Sequence, residues 1–126
     1  SVRSEVEKKA AAFGVKPEDY TLTFRCYGRD GVMASREPVK TIQSHEIGIV
    51  ADVVAKQQDV ASAVLGMART NLLHTDFPGR LCREGNMAFP FSPSDIERGA
   101  LYEFTMHHVV ETESPTAMFP IDYETV

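Results

Sequence analysis

The chain has 126 residues, 43% of them hydrophobic and 25% charged, with a formal net charge of −5 and only two cysteines. That length suits one domain able to build a core without disulfides or metal, and the balance excludes a disordered or fibrous chain. An acidic chain with dispersed carboxylates does not fit a general nucleic-acid binder, and no apolar run is long enough to cross a bilayer. The N-terminus SVRSEVEKK is charged where a secretory leader is apolar, so the expectation is a soluble, cytoplasmic protein. A chain that opens on a helix without a methionine is also expected to be a piece of something longer.

Val2, Val6, Ala10 and Phe13 fall at helical spacing, with Glu5 four residues before Lys9 and Gly14 placed to end the helix. After the turn-like VKPED, Tyr20, Leu22, Phe24 and Cys26 alternate with Thr21, Thr23, Arg25 and Tyr27, the pattern of a strand with one buried face. GRDGVMASREPVKTIQS then reads as a long loop. HEIGIVADVVA resumes the period of two, Ile47, Ile49, Ala51 and Val53 against Gly48, Val50, Asp52 and Val54, and is expected to pair antiparallel with the first strand.

A helix is predicted from Gln58 to about His74, with Ala61, Leu65, Ala68 and Leu72 in one row and Val60, Val64 and Met67 beside it. Pro78 and Gly79 stop it. LCREGNMAFPF reads as partly strand-like, with Met87, Phe89 and Phe91 as buried anchors and Pro90 and Pro93 setting bends. Ser92 before Pro93, and Ser94 three residues before Glu97, suggest a capped single helical turn. ALYEFTMHHVVE predicts a further strand, Tyr102, Phe104, Met106, His108 and Val110 on one side and Glu103, Thr105, His107 and Val109 on the other. The tail from Thr112 is expected to cross the surface or dock on a partner.

This order gives a single α+β domain over residues 1–126: an antiparallel sheet with helices packed on one face, of a ferredoxin-like variety. The fold alone argues no function.

The chemistry-bearing residues are scattered. Cys26 and Cys82 have neither zinc nor disulfide spacing and read as buried free thiols. His107 and His108, adjacent in a strand, point to opposite faces and do not share an ion, and no metal or cofactor is expected. GRDGVM offers Arg29 and Asp30 in a glycine-rich loop. Its backbone N–H groups suit an anion, but the loop lacks the P-loop lysine and the dinucleotide spacing, and a tight turn with an internal Arg–Asp pair also accounts for it. Arg69, His74 and Arg80 lie toward the C-terminus of the second helix, where its dipole favours cations without any ligand. Together with Asn71, Asn86 and Asp95 they also suit a polar pocket for a carboxylate or phosphate.

YTLTFRCYGRDGVM, HEIGIVADVVA, GRLCREGNMAFPFSPSDIERGALYEFTMHHVVE and FPIDYETV together resemble the C-terminal region of large proteins of the acyclic terpene utilisation family. The resemblance spans nearly the whole chain, and Pro78 to Glu111 is its most distinctive part. It implies an accessory α+β domain that follows a larger N-terminal portion, in proteins associated with breakdown of branched acyclic terpenoids or related acids. It brings no established catalytic residues to this chain.

Two readings result. In one, the chain is an accessory domain whose partner is a second copy or the missing N-terminal domain, with Arg29, Asp30, Asn86 and Asp95 supplying one wall of a pocket. In the other, it is a small free-standing enzyme or binding protein for a branched organic acid or acyl substrate. An enzyme requires an enclosed site with a perturbed acid or base. An accessory domain instead exposes the surface its neighbour covers.

Overall fold

The computed structural model describes residues 1–81, 88–90 and 92–125. Helix α1, Val2–Ala12, starts on Ser1, whose hydroxyl accepts the Ser4 amide at 3.4 Å, and ends where Gly14 takes φ +78°. That left-handed conformation costs glycine little. Glu5 pairs with Lys8 at 3.0 Å rather than with Lys9 as its spacing suggests, because Lys9 is drawn to α2. Strand β1, Tyr20–Tyr27, follows a one-turn 3-10 helix at Pro17–Asp19. A long loop with a second such turn at Ala34–Arg36 leads to β2, Gly48–Ala55, and then to α2, Gln58–His74.

β1 and β2 pair antiparallel, Leu22 opposite Val53 and Phe24 opposite Ala51. Among the described residues the sheet has these two strands. Partners across the ladder share a face, so Tyr20, Leu22, Phe24, Cys26, Ile49, Ala51 and Val53 turn toward the helices, and Arg25 and Asp52 meet on the other face at 2.9 Å. Val6 of α1, Leu22 of β1 and Val64 and Ala68 of α2 form the buried core, ringed by half-buried Val2, Tyr20, Phe24, Val53 and Met67. The α+β class is thus the one expected, with the helices packed against an antiparallel sheet.

The C-terminal third differs from expectation. From Asp95 to Glu124 there is neither helix nor strand. The alternation of Tyr102, Phe104 and Met106 gives local strand preference, but a strand forms only where a neighbouring edge takes its N–H and C=O groups, and among the described residues no segment does so. The helical turn expected at Ser92 is a bend with a cis Ser92–Pro93 bond. Its capping partners are used elsewhere: Ser94 bonds Arg69 and Asp95, and Glu97 accepts from Ser62. Phe89, expected to anchor by burial, is 45% exposed. Met87, Phe91, Cys82 and Asn86 lie outside the described residues, and Cys26 is half-buried rather than buried.

Candidate functional site

Among the described residues, the polar side chains singled out in the sequence fall into separate groups, most of them paired within the fold. The turn after β1 is the first. The amides of Arg29, Asp30 and Gly31 all donate to the carbonyl of Cys26, at 3.1, 3.0 and 2.9 Å, so they face inward rather than toward an anion. The Arg29 guanidinium lies 3.6 Å from the Asp30 carboxylate, and Ser44 closes the loop with a 2.9 Å bond to the Gly28 carbonyl. A Cβ on Gly31 would come within 2.9 Å of the Cys26 and Tyr27 backbone, which explains the glycine. Beside this turn lies an open depression of about 270 Å³, with Arg29, Glu37 and Gln43 among its walls.

The second group joins α2 to the segment that follows it. Arg69 pairs with Asp95 at 3.0 Å and reaches Ser94 at 3.4 Å, all three side chains half-buried. Ser62, two turns earlier, donates to Glu97 at 3.2 Å. Arg80 belongs to a third arrangement, donating to the carbonyls of Leu73 and Thr75 at 2.7 and 2.8 Å. It thereby satisfies the orphan carbonyls at the end of α2, where the dipole favours a cation. His74 is exposed in the same turn. Asn71, grouped with these residues in the sequence, turns the other way: it is 7% exposed, accepts from Lys9 at 2.9 Å and donates to the Met67 carbonyl at 2.8 Å. It ties the two helices together.

Electrostatics place no perturbed acid or base in a cleft among the described residues. Burial pushes the Tyr20 phenol up, the hydrogen bond from Arg25 to Asp52 raises the guanidinium further, and Lys8 holds Glu5 below the usual carboxylate range. The Lys16 amide, with Lys56 behind it, does the same for Asp19. Arg25, Glu5 and Asp19 each have a structural partner, and Tyr20 is shifted by its packing beside the core. No group of three metal-ligating side chains is present among the described residues, and no helix there is long and apolar enough to cross a membrane.

What the structure exposes instead is apolar. Tyr102 and Phe104 are 90% and 81% exposed, and Leu101, Met106, Val109, Phe119 and Tyr123 are open as well. On β2, Ile49, Val50 and Val54 stay largely accessible. At the end of the sheet an apolar cavity of about 370 Å³ opens between Val2, Phe24, Cys26, Ile49 and Leu72. The signal for this surface was present in the sequence: GIVADVVA is apolar on both faces, as a strand flanked on both sides is.

The total accessible surface is 11130 Å² for a 14.0 kDa chain. A compact monomer of that mass exposes roughly 6,700 Å². Comparison with protein-family models, with curated proteins and with solved structures returns no match for this chain.

Proposed function

We propose that this chain is an accessory, assembly-forming α+β domain, a ferredoxin-like relative of the C-terminal part of acyclic terpene utilisation proteins, working in the cytoplasm. Its partner on this reading is a second copy of itself or an N-terminal domain of the same protein. One observation carries the proposal: the chain leaves roughly 4,400 Å² more surface open than a compact monomer of its mass. Large apolar side chains stand open on it, among them Tyr102, Phe104, Val109 and Tyr123. Large apolar side chains left open together in one segment mark a recognition surface. A small organic acid at the Arg29 depression finds weaker support, since Asp30 already neutralises that arginine and the turn amides face inward.

Light scattering coupled to size exclusion, with melting followed in the presence of branched-chain acids and acyl-CoA compounds, tests the proposal. An oligomer whose melting temperature no acid changes supports it. A monomer stabilised by several degrees by one acid, with the effect lost in Arg29→Ala or Asp95→Ala, contradicts it and favours a ligand-binding or catalytic protein.

A further inference from the structure

We infer that residues 101–111 form a strand that adds along the open edge of β2 in a second copy of this chain, the two copies exchanging these segments reciprocally. The inference rests on the assembly reading above and names its partner and its surface. The chain contains both the donor segment and the acceptor edge.

The acceptor is β2. It pairs with β1 on one side, and among the described residues nothing pairs with the other. Ile49 and Val50 point to opposite faces and are both more than 40% exposed, so the strand has open apolar side chains above and below the sheet, Asp52 on the Val50 face being paired with Arg25. An open apolar edge invites strand addition. The β1 side is guarded: the Arg3 guanidinium donates to the Leu22 carbonyl at 2.8 Å and lies 5.7 Å from the centre of the Phe24 ring.

The donor has the complementary pattern. Tyr102, Phe104, Met106, His108 and Val110 form one row, and Leu101, Glu103, Thr105, His107, Val109 and Glu111 the other, so a strand made from it has a mainly apolar face and a more polar one. Placed beside β2, the apolar row continues the face of Ile49, Ala51 and Val53. Among the described residues of one copy neither segment nor edge is paired in a ladder, while Arg69–Asp95 and Ser62–Glu97 fasten the chain just before the segment to the side of α2.

The donor names the occupant, since the complementary segment belongs to this same chain. The surplus surface, roughly 4,400 Å² on each of two copies, is ample for a permanent homodimer, which buries about 2,000–5,000 Å² over both partners. Reciprocal exchange closes as a two-fold pair and leaves no open chain of contacts.

The full chain and two variants, Phe104→Glu and Ile49→Glu, are measured by light scattering over a dilution series, with circular dichroism melts as the check on folding. The exchange predicts wild-type particles of twice the chain mass and self-association weakened by roughly 100-fold or more in each variant. Phe104 touches no core residue within one copy, so its variant folds whether or not the pair forms. Dimers that persist in Phe104→Glu overturn the strand exchange and leave the assembly reading standing. A wild-type chain that is monomeric at every concentration overturns the strand exchange and self-assembly together.

Discussion

The Lys9 ammonium on α1 donates to the side-chain oxygen of Asn71 on α2 at 2.9 Å, and the Asn71 amide in turn donates to the Met67 carbonyl at 2.8 Å. The asparagine is buried and fully used, while the lysine remains exposed. Removing the two partners therefore has unequal consequences. Asn71→Ala loses the helix-to-helix tie together with buried packing, for about 1–3 kcal/mol. Lys9→Met takes the donor from the buried Asn71 oxygen but leaves the bond to Met67 and the packing, and is expected to cost about 1 kcal/mol, the lower end of the range for an unsatisfied buried acceptor. Urea unfolding of both variants checks that order.

Val64 is fully buried between the helices and the sheet, whereas Phe89 is half open to solvent. Val64→Ala is expected to cost about 2 kcal/mol through lost burial and a residual cavity. Phe89→Ala is expected to stay within about 0.5 kcal/mol, as surface changes do. Thermal melts of the two variants, compared side by side, reverse the ranking that residue size suggests.

Two glycines have opposite reasons to be there. Gly31 presses on the Cys26 and Tyr27 backbone, and Gly31→Ala must displace that turn. A loss of about 1–3 kcal/mol is expected. Gly66 sits inside α2 with open space where a Cβ would go, so Gly66→Ala is expected to stabilise the chain by about 0.5–1 kcal/mol. Denaturant midpoints read both signs.

The Arg69–Asp95 pair holds the chain after α2 against the helix. Both side chains are partly solvated, so Arg69→Ala is expected to cost under about 1 kcal/mol of global stability. Its local effect is larger: trypsin cleavage after the exposed Arg98 is expected to accelerate several-fold. An Arg69→Asp, Asp95→Arg double variant restores resistance if the pair itself is responsible.

Acid sensitivity follows from Asp19. The Lys16 amide and the Lys56 ammonium hold its carboxyl below the usual carboxylate range in the folded chain. A carboxyl depressed on folding stabilises at every pH above its unfolded value, near about pH 3.9. That contribution is lost as the pH falls through the lower, folded value. Melting temperature measured from about pH 6 down to about pH 2 is expected to fall less in Asp19→Asn than in the wild type over this acid range. Equal slopes would contradict the assignment.

The first half of the chain was legible because its signals are local and agree with one another. Gln58–His74 shows its helical period and its stop at Phe77–Pro78, and Tyr20–Tyr27 shows its alternation; both elements stand where the pattern puts them. The alternation also put Tyr20, Leu22, Phe24 and Cys26 on one face of β1 and Ile49, Ala51 and Val53 on one face of β2, as the pairing has them, while the register itself is set by the fold. Residues 101–111 show the limit of that reasoning. Their alternation speaks for a strand as clearly as that of β1, but whether a strand forms depends on an edge that sequence spacing does not supply. The candidate site was less legible for a related reason. Arg69 and Asn71 are near neighbours in sequence, yet the helix turns one toward Asp95 and the other toward Lys9, while Arg80, beyond the helix, folds back onto the carbonyls at its end.

The most direct test of the account is amide hydrogen exchange across residues 101–111 and 48–55, measured on the full chain at high concentration and again after dilution. The account predicts slow exchange in both stretches at high concentration and a joint loss of protection on dilution. Exchange in 101–111 that is fast at every concentration would contradict it, as would protection that dilution leaves unchanged.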